Sequence, residues 1–327
     1  RQSQPAFLQK CFCGKVVNTM FNSSFAREMT DYLELRTAVL SASSASNDRR
    51  VLLLLDQYLV LSGFQGKELT EDILSAWSKT LSGKSKTVKE KLAVVRGFGK
   101  YLNTLGHQSF LPTLPKVKSD YIPYIFSDEE IVSIFHYADN LTPQNPRSCS
   151  SFFQLKIPMA LRILYSCGTR LQETMSLQRK DVDFKNRTLF LKKTKFSKER
   201  VIPVHESLIA VMERYCLTLG IMHEPEAFLF PGRKEGSHYT TRQMDSWFSE
   251  ILKLADIDQR ERDCHERGAC LHCFRHLFVL KSMQQLEAAG HSVDMNDLLL
   301  PTYLGHECLL DTDKYMRFSG GQFAGAI

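Results

Sequence analysis

The sequence lacks any apolar run long enough to cross a membrane as a helix. Runs such as Val51–Leu55 are five residues long, whereas a membrane span needs about 20 residues. No apolar signal-peptide core follows the polar residues 1–5, and the chain has no internal repeat or low-complexity tract. With 43% apolar and 24% charged residues, the 327 residues exclude disordered and collagen-like classes and fit about two globular domains.

The chain also lacks the cysteine pattern of a secreted disulfide scaffold. Its nine cysteines are an odd number in a long sequence, so reduced thiols in a cytoplasm are expected. One compact Cys/His group has a spacing that matches no established zinc pattern, so free thiols are the main interpretation and a bound metal is the alternative. Its members are Cys264, His265, Cys270 and Cys273.

Acidic residues are scarce in the first third of the chain. Residues 1–120 hold 17 Lys and Arg against 10 Asp and Glu, whereas residues 121–327 hold 25 against 26. This basic first third indicates a polyanionic partner, of which nucleic acid is the commonest. A solvated, charged helix face is the alternative explanation.

Residues 22–106 predict a small bundle of four helices, because apolar residues recur there at helical spacing and no strand-like alternation interrupts them. Thr70 before two acidic residues predicts an N-cap. The predicted helices are Ser24–Leu40, Asp48–Leu61, one from Thr70 to Leu81, and one from Ser85 or Thr87 through Tyr101 to a stop at Gly106.

The last of these helices and its approach are strongly basic, with only Glu90 opposing. Such a helix can lie along a phosphate backbone, so its basic residues are the predicted DNA contacts; the alternative is that they only keep the helix soluble. They are Lys84, Lys86, Lys89, Lys91, Arg96 and Lys100.

Prolines predict a linker over 107–124, between an N-terminal domain of residues 1–106 and a second domain of residues 125–327. Ser127 and Glu130 then form a capping box that begins a new helix. The second domain is expected to be mostly helical, with one β-hairpin from Thr188–Leu191 and Arg200–Val204 around a basic turn that includes Lys193 and Lys198. The predicted fold class is mainly α with a small β component.

Three short stretches carry side chains suited to chemistry on a phosphate. Arg170 is followed three residues later by Glu173, whose carboxylate can reach back to the guanidinium across one helical turn. His272 and Arg275 are likewise one turn apart. The third stretch is Leu304-Gly-His306, with Tyr315 nine residues beyond the histidine. Each stretch alone is weak evidence, because most Arg, His and Tyr side chains have no catalytic role.

Taken in order, with the basic hairpin between the first two, these stretches resemble the tyrosine recombinase family. The resemblance is close over about 125–318 and looser over about 22–106. The run Thr194-Lys-Phe-Ser-Lys-Glu-Arg200 aligns with a family hairpin that carries a catalytic lysine, which is Lys195 here. The implied catalytic residues are Arg170, Glu173, Lys195, His272, Arg275, His306 and Tyr315.

The resemblance implies that Tyr315 attacks a DNA phosphate and forms a 3′-phosphotyrosine link. A phenol has an ordinary pKa near 10, so it needs a positively charged site to react and to stabilise the transition state. The two arginines and His306 would bind the phosphate, and His272 would exchange a proton with the phenol. Lys195 would protonate the leaving 5′-oxygen, and Glu173 would hold the pocket. No metal or other cofactor is implied.

The implied role is an integrase or tyrosine transposase of a mobile element in a bacterial cytoplasm or nucleoid. Its partners would be duplex DNA with a specific recombination site, three further copies of the chain around a Holliday junction, and an accessory DNA-bending or directionality factor. The free chain would be a monomer or dimer, and no membrane is involved. The alternatives are a type IB-like topoisomerase or telomere resolvase, and a non-catalytic DNA-binding regulator on the same scaffold.

Overall fold

The computed structural model describes residues 20–117, 123–142, 152–192, 199–257, 268–290 and 300–305. The chain divides into two compact units, Arg1–Ser119 and Asp120–Ile327. This division falls inside the segment 107–124 that the prolines predict as a linker. The described residues form helices and one three-stranded sheet, which confirms the predicted fold class. No helix within those ranges is long and apolar enough to cross a membrane.

The described residues of the first unit form four helices packed around an aromatic and aliphatic core. The fully buried side chains of Phe25, Trp77 and Phe98 lie in this core. The rings of Phe25 and Phe98 meet edge to face with centroids 6.0 Å apart, a favoured geometry for aromatic pairs. The helices are α1 (Ala26–Val39), α2 (Ala42–Leu61), α3 (Glu71–Thr80) and α4 (Ser85–Thr104).

Helix α2 begins at Ala42, six residues before the predicted start at Asp48. The first turn is rich in serine and carries no apolar periodicity, so the pattern gave no signal there. The hydroxyl of Ser41 accepts the backbone N–H of Ser44 and caps the helix. The predicted N-cap of α3 is confirmed, because the Thr70 hydroxyl accepts the backbone N–H of Ile73.

Residues 109–112, which belong to the predicted linker, hydrogen-bond to the first unit. The backbone N–H of Phe110 donates to the carbonyl of Leu69 at 2.7 Å. The Arg96 guanidinium on α4 donates to the carbonyl of Pro112 at 2.7 Å. These bonds extend the first unit beyond Gly106. The φ of Gly106 is +93°, a left-handed backbone conformation that ends helix α4.

The second unit surrounds a small antiparallel sheet with helices. Its strands are β1 (Val182–Asp183), β2 (Thr188–Leu191) and β3 (Arg200–Pro203), in the order β1-β2-β3. The predicted hairpin is confirmed, and β1 is an additional short strand. The helices are α5 (Asp128–Asp139), α6 (Phe153–Cys167), α7 (Leu171–Met175), α8 (Glu206–Thr218), α9 (Thr241–Leu254) and α10 (His272–Ala288).

Helix α6 runs through the centre of the second unit and packs against α5, α8 and α10. Its side chains are buried on nearly every side, as at Ile157, Leu161 and Ile163. Helix α5 begins with the predicted capping box, in which the side chains of Ser127 and Glu130 each accept the other's backbone N–H. The end of α6 and the start of α10 meet beside the residues described next.

Candidate active site

Helix α7 places the first predicted pair of site residues. Arg170 is the N-cap of this helix. The Glu173 carboxylate accepts the Arg170 backbone N–H at 3.0 Å and its Nη1 at 2.8 Å. The ion pair predicted from the spacing is therefore present. The Glu173 side chain is only 4% exposed and that of Arg170 is 24% exposed, so the carboxylate is enclosed while the guanidinium still reaches solvent.

A second arginine, from the hairpin, binds the same carboxylate. Arg200 begins β3, and its Nη1 and Nη2 donate to Oε1 and Oε2 of Glu173 at 3.1 and 2.9 Å. Glu173 therefore lies between two guanidinium groups. The sequence predicts Arg200 only as the first residue of the second hairpin strand. Arg200 lies 27 residues from Glu173 in the chain, so the spacing of neighbouring residues gave no indication of this contact.

Glu173 is held in its charged form. Burial opposes ionisation, but the hydrogen bonds and charge of Arg200 and the hydrogen bonds of Arg170 outweigh it and keep the pKa of Glu173 below its ordinary value. The carboxylate is therefore ionised at neutral pH, and it fixes both arginines.

The third arginine, Arg275, lies in the first turn of α10 and is 2% exposed. Its Nη1 donates to the carbonyl of Gly168 and its Nη2 to the carbonyl of Leu304, both at 2.8 Å. Gly168 ends α6 with a φ of +57°, and a Cβ there would lie 2.4 Å from the ring of Phe278. Only glycine therefore allows the end of α6 to lie this close to α10.

The three arginines bind three consecutive carbonyl groups immediately before His306. Arg200 Nε donates to Tyr303 at 2.8 Å, and Arg275 donates to Leu304. Arg170 Nη2 contacts the Gly305 carbonyl at 3.5 Å, a long hydrogen bond. These contacts hold the backbone of residues 303–305 by its oxygens, and the sequence pattern carried no indication of them.

The other predicted site residues are placed as follows. His272 is the first residue of α10 and is exposed. Its ring meets that of His276 edge to face, with centroids 4.8 Å apart. The structure therefore brings Arg170, Glu173 and Arg275 together and places His272 one turn before Arg275. The predicted residues that lie outside the described part of the chain are Lys193, Lys195, Lys198, His306 and Tyr315.

The predicted DNA-binding residues of the first unit differ in where they lie on α4 and in what they bind. Positions 86, 89, 93, 96 and 100 follow the three-and-four spacing of one face of α4, so Lys86, Lys89 and Lys100 share a face. Lys91 lies off this face, where its Nζ donates to the carbonyl of Ser82 at 3.0 Å. Lys84 is the exposed N-cap residue of α4, and Arg96 binds the carbonyls of residues 111 and 112.

Cys270 and Cys273, two thiols of the Cys/His group, lie on either side of His272 in the chain. The Sγ atoms of Cys270 and Cys273 are 3.5 Å apart. In the part of the chain that the structure describes, no group of three or more His, Cys, Asp or Glu side chains is arranged to hold a metal ion. Cys264 and His265 lie outside that part, so a four-residue metal site remains the alternative to the expected free thiols.

Comparison with known proteins decides the family. The phage integrase family matches residues 125–318, more than half of the chain. The chain belongs to this family, the tyrosine recombinases. The tyrosine recombinase XerC of Staphylococcus saprophyticus is 28% identical to it over 275 residues, 83% of each chain. Members of the family are DNA strand transferases, and this recombinase is one of them.

Solved structures share the fold of this recombinase over most of its length. The XerH site-specific recombinase in a post-cleavage complex with difH substrate has a TM-score of 0.67 at 18% identity, covering 91% of this chain and 82% of that chain. The Tn1549 transposon integrase in complex with transposon right end DNA has a TM-score of 0.62 at 18% identity, covering 88% of this chain and 93% of that chain. At such identities the likeness shows the fold alone.

Proposed function

We propose that this recombinase cuts and rejoins duplex DNA at a specific site through a 3′-phosphotyrosine link on Tyr315. The observation that carries the proposal is the set of three arginines and one carboxylate at this site. Arg170 and Arg200 bind Glu173, and Arg275 binds the backbone two residues before Arg170. Among these four residues positive charge is in excess, which suits a phosphate whose negative charge grows in the transition state. Guanidinium groups match phosphate oxygens in shape as well as charge.

Arg170 and Arg275 are the proposed ligands of the two non-bridging phosphate oxygens. Arg275 is fixed by two backbone carbonyls before DNA arrives, so little reorganisation is needed when the transition state forms. Arg170 is fixed by Glu173 and keeps about a quarter of its side chain exposed (24%). His306 would be the third phosphate donor. It directly follows the backbone that the three arginines hold.

The proposed reaction takes one proton from the attacking Tyr315 hydroxyl and gives one proton to the leaving 5′-oxygen. The Tyr315 oxygen bonds to phosphorus while the bond from phosphorus to the 5′-oxygen breaks. His272 accepts the phenol proton, a role that the imidazole ring of histidine suits near neutral pH. Lys195 donates a proton to the leaving 5′-oxygen. The covalent link keeps the bond energy, so the 5′-hydroxyl of another strand can rejoin the DNA without ATP or a metal ion.

The proposed partners are duplex DNA and further copies of the chain. Four subunits would carry out paired strand exchanges through a Holliday junction, and an accessory DNA-bending or directionality factor would set the outcome. We place this recombinase with the integrases or transposases of mobile elements. The DNA sequence that this recombinase attaches to tests that role. In the genome, the preferred motif should lie at the ends of a mobile element that contains this gene. A single chromosomal motif far from the gene would indicate a chromosome resolvase instead.

Covalent capture tests the proposal directly. The recombinase is incubated with a random-sequence library of nicked duplexes and denatured, and the DNA that stays attached is sequenced. We expect one motif to emerge, and mass spectrometry of the attached peptide should identify Tyr315. Attachment without a preferred motif, together with relaxation of a supercoiled plasmid, would indicate a topoisomerase-like activity. DNA binding without any attachment would indicate a regulator.

Lys195→Ala is expected to slow cleavage about 100-fold while DNA affinity changes little, because a general acid acts only on the leaving oxygen. Replacing the scissile 5′-oxygen by sulfur supplies the control, since a thiolate leaves without protonation. The variant should then cleave the sulfur-containing duplex nearly as fast as the parent protein does. Equal losses in affinity and rate on the oxygen-containing duplex would instead make Lys195 a phosphate contact.

The lysine face of α4 is expected to contribute to DNA affinity through phosphate contacts. Changing Lys86, Lys89 and Lys100 together to glutamine should reduce the steepness of the fall of log affinity with log salt by about 3. It should also weaken binding roughly 100-fold near 0.15 M salt. The matched control is Lys79→Gln, because Lys79 is an exposed lysine on the neighbouring helix α3. An equal loss of affinity per charge removed in the control would show that only overall charge matters.

A further inference from the structure

We infer that Arg200 is a positioning residue of the DNA-cleavage site, acting through Glu173 on Arg170 and through the Tyr303 carbonyl on the chain that enters His306. The inference rests on the proposed function and names a residue that the catalytic motifs do not include. Its guanidinium is 12% exposed and makes three hydrogen bonds, two to the carboxylate and one to the backbone oxygen.

Arg200 keeps the charge of Arg170 available to a phosphate. Glu173 is the carboxylate paired with Arg170. If Glu173 had only this one partner, its negative charge would offset most of the positive charge of Arg170. Sharing the carboxylate with Arg200 leaves the three residues with a net positive charge beside the site, while both oxygens of Glu173 stay hydrogen-bonded.

Arg200 also connects the hairpin to the segment that precedes His306. It pairs with Leu191 at the turn end of the β2–β3 hairpin, the end from which the chain continues toward Lys195. Its Nε holds the Tyr303 carbonyl, and its Nη1 would lie 3.1 Å from a Cβ at Gly305, where φ is +65°. The absence of a side chain at Gly305 lets the guanidinium approach this closely.

Lysine cannot replace Arg200 in this arrangement. The three acceptors, both oxygens of Glu173 and the Tyr303 carbonyl, match the planar fork of a guanidinium, whereas an ammonium is a point charge without that shape. Arg187 supplies a matched control. It lies in the same sheet region and pairs with Glu206 at 2.9 Å, but its side chain is 55% exposed and its partner 74% exposed.

The first measurement is the single-turnover rate of covalent attachment to the random-sequence nicked-duplex library, with affinity for the same library measured separately. We expect Arg200→Met to slow attachment roughly 10- to 100-fold and Arg200→Lys by a smaller factor within that range, while affinity stays within about twofold. Arg187→Met should keep the parent rate. A parent rate in Arg200→Met would overturn the inference, as would losses of rate and affinity in equal measure.

The second measurement does not depend on cleavage. Because the folded-state pKa of Glu173 is lowered, its stabilising effect is present above the ordinary Glu pKa near 4.3 and is lost as the pH falls through the folded value. The melting temperature should therefore rise with pH from below the ordinary Glu pKa of about 4.3 to about one pH unit above it. Without Arg200 the pKa of Glu173 rises toward or beyond the ordinary value, so Arg200→Met should show a smaller rise than the parent and Arg187→Met.

The two measurements separate the inference from the proposed function. If the parent protein never attaches to DNA, the proposed function fails, and the pH dependence of melting alone decides whether Arg200 supports Glu173. An unchanged pH rise in Arg200→Met would then overturn the inference. A smaller rise, restored in part by Arg200→Lys, supports it.

Discussion

Tyr315→Phe is expected to abolish covalent attachment to DNA while leaving DNA affinity within about twofold of the parent value. The substitution removes only the oxygen that would bond to phosphorus, so no phosphotyrosine can form, whereas the charged groups that hold the phosphate are retained. Denaturing electrophoresis of the protein after incubation with labelled nicked duplexes measures the attachment. Filter binding of the same duplexes measures the affinity.

Tyr303 provides the matched control, because it is the tyrosine whose backbone carbonyl Arg200 holds. Its ring stacks on Phe278 with centroids 5.3 Å apart. Burial, with a smaller effect from nearby Cys167, raises the pKa of its phenol, which makes it a poor nucleophile. Tyr303→Phe should therefore keep covalent attachment. Attachment that survives in Tyr315→Phe but is lost in Tyr303→Phe would reverse the assignment of the nucleophile.

Arg275→Lys is expected to reduce the cleavage rate roughly 1000-fold and the free energy of unfolding by about 3 kcal/mol. A lysine has one ammonium group and cannot bridge the carbonyls of Gly168 and Leu304, which Arg275 joins at 2.8 Å each. The loss of stability follows because these acceptors are buried with the 2% exposed arginine. Single-turnover cleavage and urea unfolding measure the two effects.

Arg170→Lys separates catalysis from stability. The Arg170 side chain is 24% exposed, and a lysine there keeps a charge within reach of Glu173. We expect a loss of cleavage rate of about 100-fold with a change in unfolding free energy below about 1 kcal/mol.

If Arg275→Lys cleaved at the parent rate once folded, Arg275 would be only a structural link between α6 and α10.

The sequence predicted those features that depend on residues close together in the chain. The capping box at Ser127, the N-cap at Thr70 and the pairing of Arg170 with Glu173 each lie within one helical turn. The hairpin followed from two β-prone runs that flank a polar turn. Local spacing determines such contacts because only a few backbone conformations connect the residues.

The sequence could not show which distant groups complete the site. Arg200 reaches Glu173 across 27 residues, and Arg275 reaches the Gly168 carbonyl across 107 residues. The acceptors at Tyr303, Leu304 and Gly168 are backbone oxygens, which every residue carries, so no side-chain pattern marks them. The early start of α2 was missed for a different reason, because its serine-rich first turn lacks apolar periodicity.

The carbonyls of residues 303–305 are also the last part of the described arginine contacts to be synthesised. Their partners Arg170, Arg200 and Arg275 precede them by 135, 103 and 29 residues in the contacts described. A growing chain carries every helix of the first unit long before these oxygens exist, and contacts across such separations close only after both ends are available. The order of translation therefore delays these three arginine contacts until residues 303–305 have been made.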